Sequence, residues 1–176
     1  MIKNYFYDSA IIDRVKEILE DKLQDTENFK SIVLGEFSTL ASVREEDFWD
    51  FFPAILIYPH SNHVDYQNQN STTLNHNIRL NIDYICPYDG SDIDKWQKCI
   101  ENTGKISSVL VSDSKLDDFY VDKSEDEVGC EIIGSEISKC TYDDEISRLF
   151  SDLLIPLTVS RIRFNIRIQG LIGEWL

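Results

Sequence analysis

Positive charge is the scarcest commodity in this chain of 176 residues: 17 Lys and Arg stand against 32 Asp and Glu, a formal charge of −15. A surface of that sign repels phosphate backbones, which excludes general nucleic-acid binding and suits a basic protein partner. The seven glycines are scattered, so no glycine-rich loop stands ready to cradle a phosphate. No apolar run approaches the ~20 residues of a membrane helix. The longest, Phe51–Tyr58, is interrupted by Pro53. Met1–Asp8 lacks the apolar centre and small-residue cleavage site of a signal peptide, so a cytoplasmic chain with reduced thiols is expected. Cys86, Cys99, Cys130 and Cys140 form no C-x-x-C pair, which leaves no zinc knuckle and no thioredoxin-like motif. Four buried or half-buried free thiols are the expectation.

What is present is a globular pattern, with 42% hydrophobic and 11% aromatic residues. Ile11, Ile12, Val15, Ile18, Leu19 and Leu23 recur at helical spacing, which predicts an amphipathic helix over Asp8–Leu23 capped by Asp8 or Ser9. A short strand is expected near Ser31–Phe37. Phe48–Pro53 is an aromatic knot leading into a strand, Ala54–Tyr58, with Pro53 at a position where no ladder donor is needed. His60–Thr73 is polar and has little to bury, so it reads as a hairpin loop. Leu74–Cys86 then alternates with period two over thirteen residues, and Leu157–Gln169 repeats that pattern. Between them lie a helix with Ile93, Trp96 and Ile100 buried, ended or kinked by Gly104, and an acidic loop over Asp113–Glu127. Val128–Tyr142 is expected to be a strand or pair of strands bent at Gly129 or Gly134, and Asp143–Leu154 a short helix. No repeat or linker divides the chain. The expected architecture is one α+β domain over residues 1–176, a single antiparallel or mixed sheet with amphipathic helices packed on one face.

Nothing here nominates a catalytic residue, so no enzyme is expected. His60-x-x-His63 with Asp65 carries metal donors, but in a polar loop with no fourth ligand, and two solvated histidines are the simpler reading. His76 falls on the apolar side of its strand. The acids around the cysteines raise a thiol's pKa rather than activate it. Neither cofactor nor metal is expected.

The polar faces of the two long strands are more informative. Asn75, Asn77, Arg79 and Asn81 line one; Arg161, Arg163 and Arg167 line the other, a stripe under about 20 Å long at ~3.3 Å per residue. Two readings stand: the arginines pair with the chain's own acids, such as Asp83, or they meet another chain, arginine being enriched at interfaces. These residues and Trp175, in an unusually apolar terminus, are the candidate interface.

An amphipathic helix is followed by Phe52-Pro53-Ala54-Ile55-Leu56-Ile57-Tyr58-Pro59, a polar loop, a long alternating strand, a helix and a last alternating strand. This order of elements resembles the tail-terminator, or tail-completion, proteins of long-tailed bacteriophages. The resemblance implies a homo-oligomeric, six-membered ring that caps the tail tube, stops its polymerisation and presents a docking surface to the head. Its partners would be further copies of itself, the tail tube protein and the head–tail connector or neck protein. Genomic DNA would pass through the lumen without specific binding, and no membrane is involved. The place implied is the tail or neck of a virion assembled in the host cytoplasm. Two other readings stay open: another neck or head-completion protein of the same particle, and a small cytoplasmic enzyme or metal-binding module.

Overall fold

Two stretches of strict alternation become the paired centre of a six-stranded sheet. The computed structural model of the protein describes residues 5–23, 27–36, 47–60, 73–87, 93–112, 116, 120–121, 130–142 and 157–171. In chain order these form α1 (Tyr5–Lys22), β1 (Ser31–Leu34), α2 (Phe48–Phe51), β2 (Ala54–Pro59), β3 (Thr73–Pro87), α3 (Ile93–Ser112), β4 (Tyr120–Val121), β5 (Cys130–Tyr142) and β6 (Leu157–Leu171). The strand order is β1-β2-β3-β6-β5-β4. Among the described residues only β1 and β2 run parallel and the other strand pairs are antiparallel, so the sheet is mixed. The fold is α+β, with helices packed on the sheet.

β3 and β6 pair along their whole length, from Thr73 opposite Leu171 to Pro87 opposite Leu157. Register follows from burial, because a slip by one residue would turn every apolar side chain to the wrong face. In this register Ile78, Leu80 and Ile82 stand opposite Ile166, Phe164 and Ile162, with Tyr84 and Ile168 on the same buried face. Ile11, Val15, Ile18 and Leu19 of α1 and Cys99, Ile106 and Leu110 of α3 close over that face. Each fully buried aliphatic or aromatic side chain contributes about 1.5–3 kcal/mol by leaving water.

The helices differ from expectation in two ways. α1 begins at Tyr5 rather than Asp8, since no proline or glycine precedes Asp8 to stop it. α3 runs through Gly104 without ending there; the glycine sits on an exposed side with open space around it. α3 also buries a stripe that apolar spacing alone misses. Asn102 and Thr103 are 2% and 1% exposed, whereas Ile100 is only half-buried. Both buried polar groups are satisfied, as they must be. Asn102 Nδ2 donates to Tyr84 Oη at 3.0 Å, and Tyr84 donates to the carbonyl of Asn28 at 3.1 Å. Thr103 donates to the Cys99 carbonyl at 2.7 Å, so Ser160, 2.6 Å away on β6, donates to Thr103.

β5 is one continuous strand with register irregularities at Ile132/Gly134 and Ile137/Lys139, the first at the glycine expected to bend it. Of the thiols, Cys86 and Cys99 are buried, but Cys140 is exposed on β5, against the expectation that every cysteine would be at least half-buried. No helix among the described residues is long and apolar enough to cross a membrane. The expected helix over 143–154, the hairpin tip over 61–72 and most of the acidic stretch 113–127 lie outside the described residues.

Candidate functional site

Helices α1 and α3 pack on one face of the sheet, and the second face changes character from one end to the other. At one end Phe52, Ala54, Leu56, Ile85, Leu157 and Val159 form a second apolar cluster, with Phe51 and Val33 beside it. The turn of helix α2 delivers Phe51 and Phe52, whose rings meet edge-on at 5.0 Å. This explains why β2 is buried on both faces over five successive residues, Ala54–Tyr58.

One step along the strands the apolar cluster gives way to an ion pair. Asp83 on β3 stands opposite Arg161 on β6 and two residues beyond Ile85. Arg161 grips it with both sides of its guanidinium, Nε to Oδ1 at 2.7 Å and Nη2 to Oδ2 at 2.7 Å. Tyr58 completes the group: its hydroxyl donates to Asp83 Oδ2 at 2.8 Å and accepts from Arg161 Nη2 at 2.5 Å. The guanidinium carbon lies 5.7 Å from the centre of the Tyr58 ring. Asp83 is wholly buried, whereas the Arg161 side chain keeps 20% of its surface exposed. Burial, then the neighbouring Asp83 charge and the hydrogen bond to it, push the Tyr58 phenol far above its ordinary range. It therefore stays protonated and serves as a fixed donor.

Further along, the face is polar and basic. Arg79 and Arg167 are exposed, and Asn77, Arg163, Asn165 and Gln169 are half-buried. Lys139 on β5 stands opposite Arg163, and Glu136 opposite Asn165. Arg167 faces Gly134, and a Cβ on that glycine would meet Arg167 Nη2 at 3.1 Å, so the missing side chain gives the guanidinium room against β5. His60, just past β2, is tied in by its amide, which donates to the Arg79 carbonyl at 2.8 Å. Burial, followed by the nearby charges of Arg163, Arg161 and Arg79, pushes its imidazole below the ordinary 6.5. The ring is neutral at pH 7.

The candidates thus divide. Of the two readings of the arginine stripe, the intramolecular one holds for Arg161, which belongs to its own fold through Asp83. Arg79, Arg163 and Arg167 gather on one patch with Asn77. Asn81, expected on the outer face, is on that face but only 4% exposed, pressed between Tyr58 and Arg163 in the strand register. The side chain of Asn75 and all of Trp175 lie outside the described residues, as do His63 and Asp65. Among the described residues no three His, Cys, Asp or Glu side chains gather to hold a metal. Sequence reading missed Tyr58 and His60 as members of this face; the signal was the parity of Tyr58 with Leu56 and Ala54, legible only once β2 was known to lie beside β3. No protein-family model and no curated protein matches the chain.

Proposed function

We propose that this chain is an assembly protein of the phage tail-terminator type. Its copies form a ring at the head-proximal end of a tail tube, stop the tube's polymerisation and offer a docking surface to the head connector. The observation that supports this most directly is the division of the sheet. Helices cover one face, while the other presents Arg79, Arg163 and Arg167 to the outside of a chain whose net charge is −15. Identical acidic subunits repel one another unless each carries a basic surface on which a neighbour's acids settle. A patch that meets a different patch on the next copy makes a head-to-tail contact, which closes into a ring when the rotation allows. The acidic remainder suits a conduit wall along which DNA slides without sticking.

The test is size-exclusion chromatography with light scattering, on the protein alone and mixed with purified tail tubes. A species of fixed stoichiometry that caps tubes is expected, and Arg163→Glu should weaken it while leaving the thermal midpoint unchanged. A strict monomer that never joins tubes overturns the proposal. Particles assembled without the protein should carry overlong tails; tails of normal length lacking heads would point instead to a neck protein.

A further inference from the structure

The ladder between β3 and β6 repeats one arrangement with a single substitution. Arg161 stands opposite Asp83, and two residues on, facing the same side, Arg163 stands opposite Asn81. In the first rung the carboxylate fills the guanidinium fork with two hydrogen bonds. In the second, the same β3 position holds an amide of nearly the same shape with no charge. Among the described residues no carboxylate pairs with Arg163, and its neighbour across β5 is another cation, Lys139. Asn81 is itself occupied on one side only: its Nδ2 lies 3.3 Å from His60 Nδ1, while its buried Oδ1 has no partner among the described residues. With Nδ1 accepting from Asn81, the neutral His60 ring carries its proton on Nε2, as a further donor.

We propose that this second rung is a carboxylate-binding site, in which Arg163, flanked by Lys139 and His60, takes from outside the group that Asp83 supplies to Arg161 from within. A planar two-oxygen ligand matches the guanidinium fork bidentately. The strongly acidic chain disfavours extended polyphosphates, whereas one carboxylate experiences chiefly the local cations. The ligand is a small free carboxylate or an Asp or Glu side chain of a partner. The inference goes beyond the ring reading and holds whether or not the chain forms rings, since the site lies within one copy.

The experiment follows the His60 ring resonance of the intact protein by NMR, assigned with His60→Gln. Citrate, a hexaglutamate peptide and inorganic phosphate are titrated separately, with ionic strength held by NaCl. Saturable movement of His60 with citrate or the peptide is expected, together with a rise of its pKa toward the ordinary value as the bound charge offsets the arginines. Citrate binding marks a small-molecule ligand, and binding of the peptide alone marks a partner's side chain. Arg163→Gln should weaken the response about tenfold or more, the worth of a charge-assisted pair. Asn81→Asp should abolish it, because the new internal carboxylate completes the rung; this variant decides the matter should Arg163→Gln fail to fold. No saturable response in the wild type, an equal response in Arg163→Gln or in a folded Asn81→Asp, or phosphate binding as tightly as citrate, would each overturn the inference.

Discussion

Removing Asp83 tests whether the ion pair on the second face anchors the sheet. Asp83→Asn keeps the volume and one acceptor but takes the negative charge from a site with no solvent exposure. Arg161 then loses its bidentate partner, and the one oxygen that remains is left to serve the donors that now share two, Arg161 and the Tyr58 hydroxyl. Stripping one member from a buried pair costs about 3–5 kcal/mol, chiefly because the other charge is left without compensation. Arg161 is 20% exposed and recovers some hydration, which discounts that range to about 2–4 kcal/mol. For a chain of this size that is a fall in thermal midpoint of about 6–12 °C. Urea unfolding followed by tryptophan fluorescence measures it, and the difference should change little in 1 M NaCl, since screening hardly reaches a buried pair. Replacing both partners, as in Asp83→Leu with Arg161→Met, should recover most of the loss by extending the Phe52–Val159 apolar cluster along the face. A loss below about 1 kcal/mol for Asp83→Asn, with an unchanged denaturant slope, would refute this account.

Two further outcomes rest on neighbouring groups. Because the Tyr58 phenol titrates higher in the folded protein than its ordinary 10.0, its contribution is present in full below that pH and is lost as the solution becomes more alkaline; urea midpoints should fall above about pH 10, and Tyr58→Phe should flatten that fall. In a Cys130→Ser background, the exposed Cys140 should react with a thiol reagent at once, while Cys86 and Cys99 react only on unfolding. Donation of the Cys86 proton to Cys99, and after it burial, push the Cys86 thiol up and keep it protonated, so thiolate-dependent labelling of it in the native state would show the pair to be open.

Much of the fold was written in local pattern. The alternation of Ile78, Leu80, Ile82 and Tyr84, and of Ile162, Phe164, Ile166 and Ile168, predicts two long strands with one buried face, and both form. The spacing of Ile11, Val15, Ile18 and Leu19 likewise predicts the stripe that α1 buries. Local pattern misled where a polar side chain was buried with a distant partner. Asn102 finds Tyr84 eighteen positions away and Thr103 finds Ser160 fifty-seven away, so nothing near α3 announces that either is core. The same limit hid the group on the second face. Asp83 and Arg161 are 78 positions apart and Tyr58 and Arg161 are 103 apart, and only the β2-β3-β6 order makes them neighbours.

By itself, then, the sequence determined the element types, the charge balance and which side of each long strand turns inward, because pleat and helix periods are properties of consecutive residues. The tertiary structure alone decided which strands lie side by side and in what register. That choice, made by matching apolar side chains across the ladder, set Arg161 against an aspartate and Arg163 against an asparagine. Two arginines alike in sequence thereby became one structural ion pair and one guanidinium with no carboxylate partner among the described residues.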